Sequence, residues 1–147
     1  MKFLNKCILA AVLMFAMMIP AMAQFEDMFT EENFSKQPPI TEKDVQAFIK
    51  SEKAYARLVE INEAGKFNAE NRASIEKELG ISVERYMFVS TKLAVCYTFM
   101  FESGVSEADL DTLFQELPEY LRPSTSEKAL LKKYKTQIES TFNKIAE

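Results

Sequence analysis

Three hexapeptides repeat one device along this chain: ITEKDV from Ile40, ISVERY from Ile81 and VSEADL from Val105. In each, an apolar residue precedes a serine or threonine, and a second apolar residue lies four positions beyond the hydroxyl. The hydroxyl caps the first turn of a helix, and the apolar pair staples the chain as it turns in. Asp44 and Asp109 stand where a capping box needs an acid, and Arg85 takes that place in the second copy. The stops are equally spare. The chain has three glycines, Gly65, Gly80 and Gly104, and each follows a helical run where a left-handed residue is needed. Pro118 closes a fourth run. This punctuation predicts helices over 42–64, 69–79, 83–103, 107–117 and 127–146, with PEYLRP as a turn. No stretch alternates with period two, so the expected class is all-α: a small bundle of about four to five helices.

The faces of these helices follow the same period. Leu130, Leu131, Tyr134, Ile138, Thr141, Phe142 and Ile145 form one stripe. Leu110, Leu113, Phe114 and Leu117 form another, and Val45, Phe48, Ile49, Tyr55, Ala56 and Val59 a third. The run 83–103 has the widest arc, from Val83, Tyr86 and Met87 to Tyr97, Met100 and Phe101. Phe88, Val95 and Phe99 fall partly outside that arc. A helix apolar on more than one face belongs in the middle of a bundle.

Ahead of the helices, residues 1–23 read as a secretory signal peptide. Lys2 and Lys6 precede an uncharged apolar run from Cys7 to Ile19; Pro20 breaks it, and Ala21-Met22-Ala23 supplies small residues for cleavage. The run falls short of the about 20 residues a spanning helix needs, so no membrane span is expected after cleavage. Residues 24–39, QFEDMFTEENFSKQPP, form an acidic, aromatic linker or arm, and Pro38-Pro39 stops a helix from passing through. Residues 40–147 form the helical domain.

Cleavage would remove Cys7 and leave Cys96 alone, so no intramolecular disulfide is expected and the core must rest on apolar packing. Low cysteine use in an exported chain points to a bacterial periplasmic or secreted protein. Asn33-Phe34-Ser35 matches a glycosylation acceptor, a pattern common by chance. A formal net charge of −4 gives no basis for nucleic acid or an anionic membrane as main partner.

The chain contains no histidine. Histidine-based nucleophilic triads, histidine-ligated zinc and the usual haem ligation are therefore excluded. Isolated glycines build no phosphate loop, and the carboxylates lack calcium-loop spacing. No cofactor, metal site or catalytic residue is expected.

The remaining candidates are sparse. Glu52 falls within the apolar stripe of the first helix, where Lys92 or Arg85 could pair with it. Cys96 lies at the flank of the central arc, between Val89 and the edge formed by Arg85 and Lys92. A core thiol is the favoured reading, with Lys92 as the argument for reactivity. Ser90 should bond back to the carbonyl of Met87 or Tyr86. Phe25, Phe29, Phe34, Phe88 and Phe99 are candidates for an exposed aromatic surface that binds a partner.

The expectation for function is a non-enzymatic exported protein that acts through protein–protein interaction with an envelope partner. One alternative is a carrier of a small apolar ligand between helices, lined by Tyr86, Met87, Tyr97 and Met100. Another is an enzyme with an acid–base site on Glu52, Cys96 or a tyrosine.

Overall fold

Helix punctuation reappears in the backbone torsions. In the computed structural model, which describes Met28 and residues 30–146, Gly65, Gly80 and Gly104 have φ of 64°, 73° and 69°. Thr41 caps its helix with a reciprocal capping box to Asp44, and Ser82 accepts the Arg85 N–H. Ser106 departs from the scheme. Its hydroxyl donates to the Asp109 carboxylate at 2.6 Å and makes no side-chain cap to the backbone.

The described residues form eight α-helices and no strand. They are α1 (Glu31–Ser35), α2 (Glu42–Ile49), α3 (Glu52–Glu63), α4 (Ala69–Leu79), α5 (Val83–Tyr97), α6 (Glu107–Gln115), α7 (Thr125–Lys133) and α8 (Lys135–Ala146). A π-helical turn, Thr98–Glu102, extends α5, and a 3₁₀ turn, Glu119–Leu121, follows α6. The all-helical expectation holds, and the count of four to five is corrected to eight. The signal peptide and most of residues 24–29 lie outside the described residues.

Two of the extra helices come from breaks that no glycine or proline marks. The run 42–64 divides at Lys50–Ser51, where the Ser51 N–H bonds the Phe48 carbonyl at 3.0 Å in a tighter turn. The Ser51 hydroxyl turns inward and pairs with the Tyr86 hydroxyl at 2.9 Å, both residues being buried. An α-helix turns about 100° per residue, so this break rotates everything after it. Ala54, Leu58 and Asn62 face the core, and Ala56 faces solvent. The last run divides at Tyr134, whose hydroxyl donates to Glu42 on α2. Its start also moves from 127 to 125, because Ser124 and Glu127 form a capping box of their own.

Helix α5 is the hub. It packs against α2, α4, α7 and the 3₁₀ turn, while its π-helical extension meets α6. Val83, Tyr86, Met87, Phe88, Val89, Leu93, Val95, Cys96 and Tyr97 are all buried. Helix α8 closes the far side against α2, α3 and α7. Phe48 joins the two halves, with ring centroids 6.4 Å from Tyr86 and 4.8 Å from Phe142.

Candidate functional site

Arg85, Phe88, Lys92 and Cys96 lie three and four residues apart on α5, so they share one stripe of that helix. Three segments cover the stripe: the arm at 30–39, the start of α2, and the start of α7. Each is held by a charged side chain.

Arg85 holds the arm and α2 together. Its Nε and Nη2 donate to the two carboxylate oxygens of Asp44 at 3.1 and 2.6 Å. Nη1 donates to the Pro38 carbonyl at 2.6 Å and Nη2 to the Pro39 carbonyl at 2.9 Å. Asp44 also accepts the Thr41 N–H and hydroxyl, each at 2.8 Å. Burial raises the Asp44 pKa, but Arg85, the Thr41 donors and the guanidinium charge outweigh it and leave the carboxyl below its ordinary value.

About two helical turns along the stripe, Lys92 meets Glu127 of α7 at 2.8 Å; their side chains are 6% and 4% exposed. The same Glu127 oxygen accepts the Ile40 N–H at 2.7 Å, and the other accepts the Ser124 N–H at 2.7 Å. One carboxylate therefore caps α7, neutralises Lys92 and anchors the residue that leads into α2. Burial again pushes its pKa up, and the Lys92 ammonium with the two N–H donors brings it net below the ordinary range.

Phe88 lies between the two cations, 5.4 Å from the Arg85 guanidinium and 5.7 Å from the Lys92 ammonium, measured to its ring centroid. Phe34 of the arm meets Phe88 edge-on at 5.5 Å and Tyr120 at 6.1 Å. Cation, ring and edge thus form one stack beneath the arm.

Cys96 closes the stripe. It is 1% exposed, and its Sγ lies 3.5 Å from the Leu121 carbonyl. Burial pushes the thiol pKa up to about 12; Lys92 acts in the opposite sense and Glu127 adds to the rise. At neutral pH the thiol stays protonated and inert towards electrophiles. Beside it is a cavity of about 10 Å³ bounded by Ile40, Lys92, Cys96, Pro123 and Glu127. That is room for roughly one water.

Several sequence candidates lie elsewhere than expected. Phe34 is buried under the arm, and Phe88 and Phe99 are each 1% exposed, which corrects their expected place on an exposed surface. Phe88 is covered by Phe34. Phe99 lies in the π-helical turn, where the phase of a regular α-helix no longer applies, and faces Phe114 at 6.0 Å. Glu52 leaves the apolar stripe because of the Ser51 break. Its carboxylate, about half exposed, pairs with Lys144 at 3.1 Å rather than with Lys92 or Arg85. Phe25 and Phe29 lie outside the described residues. Ser90 does donate to the Tyr86 carbonyl, at 2.7 Å.

Glu127, the centre of the cluster, is not among the sequence candidates. The signal for it is Ser124-x-x-Glu127, the spacing of a capping box, together with Lys92 as a cation on the flank of the most apolar helix. Among the described residues, no group of three His, Cys, Asp or Glu side chains could hold a metal ion, and no helix is long and apolar enough to cross a membrane. No protein family, curated protein or solved structure matches the chain.

Proposed function

We propose that this chain is an exported, non-enzymatic helical protein that acts through contact with another protein of the cell envelope. One observation carries the reading. Two charged side chains at the central stripe grip polypeptide main chain: Arg85 of α5 the carbonyls of Pro38 and Pro39, and Glu127 of α7, which pairs with Lys92, the N–H groups of Ile40 and Ser124. Side chains that grip an extended backbone recognise polypeptide.

The groups considered for acid–base work are engaged otherwise. Cys96 is buried with a raised pKa, Tyr86 is bonded to Ser51, and Glu52 pairs with Lys144 on the surface. The cavity of about 10 Å³ beside Cys96 is lined by none of Tyr86, Met87, Tyr97 and Met100, the residues a carrier of small apolar ligands would use. Export is supported by the charged, apolar and small-residue order of residues 1–23.

Two experiments test this. N-terminal sequencing of the protein from fractionated cells should read from Gln24, in the periplasm or the medium. Chemical crosslinking in envelope extracts, read by mass spectrometry, should give one reproducible partner. Cytoplasmic, unprocessed protein sinks the export reading, and the lack of any reproducible crosslink sinks the interaction reading.

A further inference from the structure

If protein contact is the function, as argued above, the geometry also says what kind of segment is bound. Among the described residues 30–39, only Phe34 is buried. Thr30, Glu31, Glu32, Ser35, Lys36, Pro38 and Pro39 are exposed. The contacts that hold this segment include the buried Phe34 ring, the Pro38 and Pro39 carbonyls, and Gln37 Oε1, which accepts from Arg85 Nη1 at 3.4 Å. Helix α1 has five residues, far below the about 12 at which an isolated helix becomes even marginal in water. Its order depends on the surface beneath it.

That surface does not depend on the arm in the same way. Asp44 fixes the Arg85 guanidinium through two hydrogen bonds, and Asp44 is fixed in turn by Thr41 within α2. Glu127 holds the chain at Ile40. Ile40 is thus anchored independently of Arg85, whereas Phe34 to Pro39 meets Arg85 and the notch of Phe88 and Tyr120; ahead of it, Met28 packs on the core. With the arm lifted, Arg85 keeps its place on Asp44 and presents free N–H donors beside an open aromatic notch.

We propose that Arg85, Phe88 and Tyr120 form a binding site for a partner segment of the pattern Phe-x-x-x-Pro-Pro, and that the chain's own Phe34 to Pro39 occupies it as an internal competitor. The occupant on the page supplies the chemistry. A phenylalanine fills the notch edge-on. Two prolines four and five residues later hold the backbone extended, so that consecutive carbonyls meet one guanidinium. Of the intervening residues, Ser35 and Lys36 are exposed and leave sequence freedom, while the Gln37 Oε1 accepts a longer bond from Arg85 Nη1 at 3.4 Å. A tethered segment acts at an effective concentration in the millimolar range, so a partner segment competes only when it binds better or when the arm is removed.

The test uses a fluorescein-labelled peptide with the sequence of residues 30–40, TEENFSKQPPI, titrated by anisotropy into the full chain. Phe34→Ala protein, which empties the notch, should bind it at least tenfold more tightly than wild type. A peptide with alanine for its phenylalanine should not bind, and Arg85→Lys in the Phe34→Ala background should weaken binding. No binding to Phe34→Ala protein that keeps the wild-type circular dichroism overturns the proposal, as does equal binding of the two peptides. Should Phe34→Ala fail to fold, the wild-type protein decides. Excess peptide, with glutamine for its lysine, should speed tryptic cleavage after the exposed Lys36; an unchanged rate overturns the proposal. An envelope partner crosslinked elsewhere on the surface refutes this site and leaves the broader reading intact. Peptide binding without any envelope partner does the reverse.

Discussion

Removing the charge from Glu127 should be among the most damaging single changes in this protein. The Lys92–Glu127 pair is almost wholly out of water, with 6% and 4% of the side chains exposed. Breaking such a pair from one side leaves a buried charge without its partner, at about 3–5 kcal/mol. Glu127→Gln leaves the Lys92 ammonium in that state and weakens the grip on the Ile40 and Ser124 N–H groups as well. Lys92→Met is the milder change, near the lower end of the range, because those two N–H donors remain on the Glu127 carboxylate. With both substitutions neither buried charge of this pair is left, so the double variant should be more stable than the sum of the singles by about 1–3 kcal/mol. Domains of this size are stable by roughly 5–15 kcal/mol in all, which makes each single change a large fraction of the total.

Urea denaturation at pH 7, followed by circular dichroism, measures all four proteins. Single variants within about 1 kcal/mol of wild type would mean that water reaches the pair. Additive energies would mean that the two side chains do not interact; either result refutes the reasoning. The acid limb gives an independent check. Asp44 and Glu127 both have folded pKa values below their ordinary ones. In that window the unfolded chain binds more protons than the folded one. The stability they contribute is present above their unfolded values, near pH 4, and is lost as pH falls through the lowered folded values. In Lys92→Met protein, Glu127 loses the partner that depresses its pKa most, so its folded value moves back towards the unfolded one and the stability lost to acid below about pH 4 should shrink.

The remaining expectations concern single features. Cys96 should react with a thiol reagent only after unfolding, since it is 1% exposed with a pKa pushed up to about 12; stoichiometric labelling of native protein within seconds contradicts a core thiol. Ser51→Ala strands the buried Tyr86 hydroxyl and should cost about 1–3 kcal/mol, while adding Tyr86→Phe should recover part of it, as read by the same urea titrations. Gly80→Ala meets no atom within 4 Å of the new Cβ, yet it holds φ at +73°. A loss of about 1 kcal/mol is expected from the backbone alone, and an unchanged Tm argues against a left-handed stop there.

Where the fold was legible, the determinants were local. A cap, a staple and a glycine stop involve residues within about one turn of each other, and α4 and the start of α5 fall at the predicted residues. What escaped depends on distant partners. At the helix break, the Ser51 hydroxyl meets its partner Tyr86 on another helix. That one break moves Glu52 from a presumed buried stripe to the surface, since every later residue turns with it. Phe99 escaped for a related reason: a π-helical turn changes the phase, and nothing in TFMFE announces one.

The central stripe shows how a charge pattern can be read correctly and valued wrongly. Arg85 and Lys92 form the polar edge of an otherwise apolar helix, as their spacing implies. Such an edge usually marks the solvent boundary, and on that basis Phe88 beside it would face outward. Here the edge is roofed over by the arm and by the start of α7, and the two cations hold those segments through Asp44, Glu127 and main-chain groups. The polar edge is a seam within the core. Once the carboxylates and carbonyls that meet it are known, the burial of Phe34, Phe88 and Cys96 follows, because each lies under a segment that Arg85 or Glu127 secures.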